Sequence, residues 1–271
     1  MKILYRQLKE KIYLEFERDS GNLIHSITNP ISINLCANGI LALGCQPIMA
    51  EHPEEVEYIT GISAALLLNL GNITDARMKS VQISAKAAIF GNKPFVLDAV
   101  GVGCSELRRR LTLKLLAEST PTVLKGNYAE IFSLYNDEYR SKGVDGDNKL
   151  TRDTISDCAR HLADKYGCAV LASGETDVIS DGTKTAFVTN GTPMLGRITG
   201  TGCLLGAITA VMLSYGGDAF CAAVRACVAL GTASEYAAPG ALCGTFQTRL
   251  LDELSVISSD KIKEKMRLEV I

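Results

Sequence analysis

Short apolar runs alternate with longer segments of helical periodicity along most of the chain. The runs end in polar residues or glycine, as the strands of a buried sheet do. The predicted strands are Leu23–Ser26, Ala65–Asn69, Phe95–Asp98, Thr122–Lys125 and Cys168–Ala172. The predicted helices are Ile31–Leu43, Asp75–Phe90, Leu107–Glu118, Ala129–Leu134 and Arg152–Tyr166. This alternation is typical of βαβ units and predicts an α/β protein with a mainly parallel sheet.

The pattern changes after the last of these strands. Two short runs, Asp177–Ser180 and Lys184–Thr189, flank the turn sequence Asp181–Thr183, which predicts a β-hairpin. Two alanine-rich helices are then predicted at Gly202–Leu213 and Asp218–Tyr236. Their small residues lie on every face, so we expect both helices to be packed against other parts of the protein.

The composition is that of a globular protein with a sizeable core. The chain has 271 residues, of which 47% are hydrophobic and 21% charged. The formal net charge of −2 gives no basic face for nucleic acid. Arg108–Arg110 is predicted to lie on a solvated helix surface, and Ser141–Lys149 to form a surface loop. No linker or composition shift divides the chain, so we expect residues 1–271 to form one domain.

The sequence also indicates where the protein works. Met1–Lys11 carries charges throughout and lacks the apolar centre of a signal peptide. The longest apolar runs, Ala64–Leu68 and Cys203–Leu213, are too short to span a membrane. Nine cysteines occur without a Cys-x-x-Cys pair or zinc-site spacing, which is typical of a reducing compartment. We therefore expect a soluble, cytoplasmic protein.

The glycine-rich segment Arg197–Cys203 runs directly into an apolar helix. Glycine lets the backbone approach a ligand closely, and a helix N-terminus presents unpaired N–H groups with a positive partial charge. Cys203 would place a potential proton acceptor beside that anion site. Phosphoryl transfer needs this combination of positioning and charge stabilisation. The alternative is a glycine turn that only caps a buried helix.

Two acidic residues follow predicted strands. Asp98 precedes the glycine-rich stretch Ala99–Gly103, where it would meet a metal or a phosphate-bound water, or else cap the following turn. Lys125 would pair with phosphate as a point charge. Glu130 would hold Mg²⁺ through water, a mode that suits a cation reluctant to lose its hydration shell. Alternatively, Asn127 and Glu130 form a capping box, and both interpretations can hold together.

Polar loops follow four predicted strands, at Ser26–Asn29, Asp98, Lys125 and Ser173. Parallel strands end at one edge of a sheet, so we expect these loops to converge. His25, near the end of the first strand, either reaches this site or serves as hydrogen-bonded structure. The sequence contains no Walker-type GxxxxGK[ST], no GxGxxG opening a βαβ unit and no Ser/His/Asp arrangement. A nucleotide bound here would therefore need another architecture.

Nine short motifs occur in order over roughly residues 22–254. They are His25–Asn29, Cys36–Asn38, Pro47–Ala50, Asn69–Gly71, Asp98–Gly103, Gly126–Glu130, Gly174–Glu175, Val178–Gly182 and Ile198–Cys203. As a set they closely resemble the hydroxyethylthiazole kinase family, which has the ribokinase-like fold. The last motif is the most specific, because most ribokinase-like enzymes resemble it but place Asp where this chain has Cys203.

The resemblance implies a three-layer α/β/α kinase, usually a homotrimer with sites at subunit interfaces. Its implied activity is ATP-dependent phosphorylation of the primary alcohol of hydroxyethylthiazole in thiamine biosynthesis or salvage, with Mg²⁺ and without nucleic-acid or membrane partners. The implied substrate contacts are Asn29, Met49 and Gly200. The implied ATP contacts are Lys125, Asn127, Ser173, Thr201 and Gly202. The implied acidic residues around Mg²⁺ and phosphate are Asp98 and Glu130, and Cys203 lies beside the acceptor hydroxyl.

The sequence departs from the family pattern at three places. Ala99 stands where the family usually has Pro, Lys125 where it usually has Arg, and Gly240–Phe246 where it has a Gly-Pro-Gly-Ser-Phe-like segment. Lysine keeps the charge but loses the bidentate fork of arginine.

Three other functions remain as alternatives. They are a kinase of another hydroxymethyl heterocycle, such as a pyrimidine or pyridoxal-like alcohol, a non-catalytic nucleotide-binding regulatory module, and a Rossmann oxidoreductase. The missing GxGxxG argues against the last of these.

Overall fold

The described residues, 20–139 and 150–271 of the computed structural model, form a nine-stranded sheet. The strands are β1 (Leu23–Ile27), β2 (Gln46–Ile48), β3 (Ala65–Asn69), β4 (Phe95–Asp98), β5 (Val123–Asn127), β6 (Ala169–Ser173), β7 (Asp177–Ser180), β8 (Thr185–Val188) and β9 (Leu268–Val270). Their order across the sheet is β2-β1-β3-β4-β5-β6-β7-β8-β9. Strands β1 to β6 are parallel to one another. The pairs β6/β7, β7/β8 and β8/β9 are antiparallel.

The helices connect these strands and continue beyond the hairpin. They are α1 (Ile33–Ala42), α2 (Val56–Ile62), α3 (Asp75–Phe90), α4 (Glu106–Glu118), α5 (Tyr128–Tyr135), α6 (Arg152–Tyr166), a 3₁₀ helix (Pro193–Arg197), α7 (Thr201–Ser214), α8 (Ala219–Ala237), α9 (Cys243–Ser255) and α10 (Ser259–Lys265). Within the described ranges, no helix has the length and apolar character needed to cross a membrane.

The sheet separates two apolar cores. Successive strand residues face opposite sides, so in β3 Leu67 contributes to one core and Leu68 to the other. The first core lies against α1, α7, α8 and α9, and the second against α3, α4, α5 and α6. A mainly parallel sheet buried on both faces is the expected three-layer α/β/α architecture, which is thereby confirmed.

The predicted elements are present, each within two residues of its predicted ends. The pattern did not predict β2, β9, α2, α9 or α10. Strands β2 and β9 have only three residues each, too few for an apolar alternation to stand out. The predictions for Met1–Lys11 and Ser141–Lys149 concern residues outside the described ranges.

The expectation of a solvated Arg108–Arg110 surface is wrong for two of its three residues. Arg109 is 5% exposed and donates to the carbonyl oxygen of Ser133. Arg108 is half-buried and donates to the carbonyl oxygen of Gly71 at 2.8 Å. Only Arg110 is exposed. Long charged side chains of α4 thus satisfy backbone carbonyl groups of neighbouring loops and helices.

Candidate active site

Neighbouring parallel strands end side by side where the sequence predicts a polar site. Lys125 of β5 is the register partner of Asp98 of β4, and Asp98 is also the partner of Asn69 of β3. On the other side of β5, Asn127 is the partner of Ser173 of β6. The strand pairing therefore brings these five side chains to the carboxyl edge of the sheet, where open α/β proteins bind ligands.

The floor of this edge is an ion pair enclosed by protein. Lys125 Nζ donates to both carboxylate oxygens of Asp98 at 3.0 Å, and the two side chains are 3% and 0% exposed. Burial raises the pKa of Asp98, while Lys125 and Asn69 act in the opposite direction. Burial alone would lower the pKa of Lys125, but the carboxylate of Asp98 together with other negative groups nearby outweighs burial, and the pKa is raised. The lysine therefore carries a positive charge at neutral pH.

A chain of side-chain amides connects this pair to Cys203. Asn69 Nδ2 donates to Asp98 Oδ2 at 2.9 Å. Asn29 Nδ2 donates to Asn69 Oδ1 at 3.1 Å and to Cys203 Sγ at 3.3 Å. All three polar groups between the thiol and the lysine are buried, with Asn29 6%, Asn69 2% and Asp98 0% exposed. Sequence-predicted residues from the loop after β1 and from β4, β5 and α7 are thus joined in one hydrogen-bonded network.

The first turn of α7 faces this network without a side-chain cap. Its N-cap residue is Gly200, which has φ 90° and offers no side-chain acceptor. A Cβ at Gly202 would lie 3.8 Å from Lys125 Nζ, and one at Gly206 would lie 3.3 Å from Asp98 Oδ2. The N–H groups at the start of α7 therefore lie near the buried lysine, and both favour an anion.

The first turn of α5 is built differently. Asn127 Oδ1 accepts from the Glu130 N–H at 2.9 Å, and Glu130 Oε2 accepts from the Asn127 N–H at 2.7 Å. The predicted capping box is therefore present. Glu130 Oε1 also accepts from the Gly101 N–H at 2.8 Å. Burial, and after it the charge of Asp98, raise the pKa of Glu130 to about 7.

The remaining predicted residues lie around the edge of this arrangement. Met49 follows β2, is half-buried and packs against the core that contains α1 and α7. The hydroxyl of Ser173 donates to the carbonyl oxygen of Gly126 at 3.4 Å. The hydroxyl of Thr201 donates to the carbonyl oxygen of Leu195 at 2.9 Å, which ties the 3₁₀ helix to the start of α7.

His25 belongs to the structure of the β1 region. Its Nδ1 bonds the hydroxyl of Thr60 and its Nε2 the carbonyl oxygen of Ala50, both at 2.9 Å. Burial lowers the pKa of this imidazole. Of the two interpretations of His25, hydrogen-bonded structure is the one that its contacts support.

Sequence reasoning did not select two residues that complete the network. Asn69 was placed at the end of a strand and within a family motif, but no role was assigned to it. Arg108 holds the carbonyl oxygen of Gly71, and Asn69 holds the N–H of the same residue at 2.9 Å. The available signal was the position of Asn69, a polar residue that ends an otherwise apolar strand beside the strand carrying Asp98.

The acidic residues fit a hydrated cation better than a directly bound one. No group of three or more His, Cys, Asp or Glu side chains in residues 20–139 and 150–271 has the arrangement of a metal site. The carboxylate oxygens of Asp98 accept from Lys125 and Asn69, and those of Glu130 from two backbone N–H groups. Mg²⁺ keeps several waters and commonly binds one or two carboxylates together with substrate phosphates. Indirect contact through water is the arrangement compatible with these donors.

Comparisons with known proteins agree on one family. The sequence model of the hydroxyethylthiazole kinase family matches residues 15–260. A hydroxyethylthiazole kinase of Haemophilus influenzae (strain PittEE) is 39% identical over 263 residues, 96% of this chain and 99% of that protein. Hydroxyethylthiazole kinase 2 of Clostridium botulinum (strain Okra / Type B1) is 44% identical over 251 residues, 91% of this chain and 94% of that protein.

Solved structures give the same result for the fold. The structure of a hydroxyethylthiazole kinase protein from Pyrococcus horikoshii OT3 superimposes with a TM-score of 0.86, at 31% identity, over 100% of both chains. Pyridoxal kinase from Staphylococcus aureus, in complex with AMP-PCP and pyridoxal, superimposes with a TM-score of 0.65 at 14% identity. It covers 92% of this chain and 98% of its own. The second similarity concerns the fold alone.

Proposed function

The chain belongs to the hydroxyethylthiazole kinase family, and we propose that it transfers the γ-phosphoryl group of ATP to the primary alcohol of hydroxyethylthiazole. The product would serve thiamine biosynthesis or salvage. One observation carries this proposal beyond family membership. The N-terminus of α7, which begins after Gly200 and has no side-chain cap, lies beside the buried Lys125. The same first turn carries Cys203, whose sulfur Asn29 contacts.

The nucleotide end of the site is formed by charge and backbone. Lys125 offers a point charge to the ATP phosphates, and the N–H groups from Thr201 and Gly202 receive the charge that develops on the transferred group. Asn127 and Ser173 form the more distant wall of the nucleotide site. Because phosphoryl transfer depends mainly on positioning and charge stabilisation, such a site needs no covalent intermediate.

The acceptor end combines an apolar contact with a polar one. The thiazole packs against Met49, with Asn29 and Gly200 beside it and its hydroxyethyl arm directed at Cys203. The thiol orients the hydroxyl or accepts its proton. Asn29 fixes the sulfur from the other side through its Nδ2 contact of 3.3 Å. A loose transition state requires little deprotonation of a primary alcohol before the transfer, so orientation is the larger part of this role.

We propose that Asp98 and Glu130 hold Mg²⁺ through water molecules. Bound there with ATP, the ion would supply charge neutralisation on the phosphates. Asp98 also fixes the ammonium group of Lys125 at the floor of the site. Glu130 joins the loop after β4 to the first turn of α5, through its bonds to Gly101 and Asn127.

We further propose a cytoplasmic homotrimer. Large apolar side chains are exposed in the connections from β1 to β2 and from β2 to β3, among them Ile31 at 69%, Tyr58 at 70% and Ile62 at 51%. Such a surface is typical of an interface between subunits. Sedimentation equilibrium tests the assembly, and a monomer at all concentrations would contradict it.

The decisive experiment is a coupled ADP-release assay with ATP, Mg²⁺ and hydroxyethylthiazole. Parallel reactions contain a hydroxymethylpyrimidine or pyridoxal, and mass spectrometry identifies the phosphorylated product. We expect the thiazole alcohol to have the highest kcat/KM. A preference for another alcohol would assign a related kinase instead. Absence of ADP release with every alcohol would favour a non-catalytic nucleotide-binding module.

A further inference from the structure

Asn69 has hydrogen-bonding partners on both sides of the proposed reaction centre. Its Nδ2 donates to Asp98 Oδ2 at 2.9 Å. Its Oδ1 accepts from Asn29 Nδ2 at 3.1 Å and from the Gly71 N–H at 2.9 Å. The side chain is 2% exposed, so these partners replace water. One planar amide thus contacts the residue that pairs with Lys125 and the residue that contacts Cys203.

The orientation of both amides is fixed by groups that have only one hydrogen-bonding role. A backbone N–H can only donate, so Gly71 requires the oxygen of Asn69 on its side and the carboxylate of Asp98 receives the NH₂ group. The N–H groups of Ile31 and Ser32, both 3.1 Å from Asn29 Oδ1, fix Asn29 in the same way. Its NH₂ group is therefore directed at Asn69 and Cys203. The hydrogen bonds therefore run outward from Asn29 in two branches, one to the thiol and the other through Asn69 to the carboxylate.

The backbone of Gly71 lies close against both amides. A Cβ added to Gly71 would lie 2.8 Å from Asn29 Nδ2 and 2.8 Å from Asn69 Oδ1. Arg108 holds the other side of the same residue through its carbonyl oxygen. Asn69 and Arg108 thus hold the loop after β3 through the two sides of Gly71. Because Asn69 also bonds Asp98 at the end of β4 and Asn29, the positions of those two residues are coupled through it.

We propose that Asn69 is a positioning residue, which sets the distance between the thiol that faces the acceptor hydroxyl and the ion pair that faces the transferred phosphoryl group. This inference rests on the proposed function. Asn69 contacts neither of the two expected substrates in it. It acts through Asn29 at the acceptor end and through Asp98 at the phosphate end. Its loss should lower kcat, while KM for ATP changes little, because displacement of the reacting groups affects the transition state more than nucleotide binding.

The test is a double-mutant cycle with Asn29→Ala and Asn69→Ala, measured as kcat/KM for the thiazole alcohol. We expect losses of about 10-fold for Asn29→Ala and about 30-fold for Asn69→Ala, and about 30-fold for the double variant, because both substitutions break one network. Asn136→Ala is the matched control. Asn136 lies just beyond the far end of α5, where its side chain accepts from the Glu138 N–H, and its loss should combine multiplicatively with Asn69→Ala. A double variant of Asn29 and Asn69 that also shows the product of the single losses, about 300-fold, would overturn the proposal.

Asn69→Asp keeps the size and shape of the side chain but replaces its NH₂ group by an oxygen that faces Asp98. A positioning role predicts a loss of kcat at least as large as that of Asn69→Ala, in a variant whose folding is verified by its melting temperature. Near wild-type kcat in Asn69→Asp would show that only packing matters and would overturn the proposal. Wild-type protein is assayed in parallel. If it forms no thiazole phosphate, the proposed function fails instead, so the two failures are distinguishable.

Discussion

Helices α5 and α7 begin at the same edge of the sheet, and their first turns are completed in opposite ways. In α5, Asn127 and Glu130 accept from each other's backbone N–H groups, so side chains at the helix start satisfy two of its donors. In α7, the residue at the equivalent position is Gly200, and no side chain caps the helix. The two helix starts, whose N-cap residues have φ −77° in α5 and φ 90° in α7, thus give a closed terminus in one helix and a terminus available to an anion in the other. Substitutions that close the second terminus or disturb the first test this difference.

The largest effect is expected from Gly200→Ala. Gly200 has φ 90°, and an added Cβ would lie 3.0 Å from the Cβ of Ser32, so the backbone must shift and move the first N–H groups of α7. We expect kcat/KM to fall about 100- to 1,000-fold, the range for loss of a preorganised donor to developing charge. Gly216→Ala is the control, since Gly216 has φ 81° and nothing within 4 Å of an added Cβ. It should lose stability but retain activity. Equal activity in the two variants would remove the argument for an anion site at α7.

Lys125→Met tests the charge between the two helix ends. It leaves the carboxylate of Asp98, 0% exposed, without its cationic partner. We expect the free energy of unfolding to fall by about 3–5 kcal/mol, as measured by urea denaturation. The double variant Lys125→Met with Asp98→Asn removes both charges and should recover most of that stability without recovering activity. A single variant as stable as wild type would show that the pair is less enclosed than its burial indicates.

Glu130→Gln tests the closed terminus of α5 through pH. Burial raises the pKa of Glu130 from 4.5 to about 7, so the folded protein keeps this proton at pH values where the unfolded chain has lost it. The stabilisation is complete below about pH 4.5 and is lost as pH rises towards 7. The stability advantage of wild type over Glu130→Gln should therefore shrink by about 2–3 kcal/mol between pH 5 and pH 8.

Urea unfolding at several pH values measures this difference. The control is Glu138→Gln, which removes an exposed carboxylate just beyond α5 and is measured over the same pH range. A difference between wild type and Glu130→Gln that stays constant with pH would contradict the assigned pKa.

The smallest effect is expected from Cys203→Ser, at the third residue of α7. A hydroxyl preserves a polar contact with Asn29 but shortens the side chain that faces the acceptor, so kcat should fall about 10-fold. Calorimetry with a non-hydrolysable ATP analogue should give unchanged affinity. Cys243→Ser, at an exposed thiol, controls for the loss of a sulfur atom. Lost nucleotide binding with unchanged turnover would assign Cys203 to the nucleotide instead of the acceptor.

The contrast between α5 and α7 also separates what the sequence could predict from what it could not. The sequence predicts the capping box because Asn127 and Glu130 are only three residues apart. It predicts the glycine start of α7 because the glycines directly precede the apolar helix, so that signal is equally local. The bond from Gly101 to Glu130 spans 29 residues, and its existence depends on the spatial order of β4 and β5. The amide network of Asn29 and Asn69 spans 40 residues and likewise requires the sheet register. Three-residue edge strands escaped prediction for a different reason, since they carry too little pattern.

The inner face of α7 has a further implication for mutational tolerance. Gly202 and Gly206 are four residues apart, so they share that face. An added methyl at 206 would lie 3.2 Å from Leu67 Cδ1 and 3.3 Å from Asp98 Oδ2, which leaves no space for a larger residue. Every substitution of Gly206 adds side-chain atoms, because glycine has none. A substitution at position 206 can therefore inactivate the enzyme by adding side-chain atoms, without removing any group that takes part in the reaction.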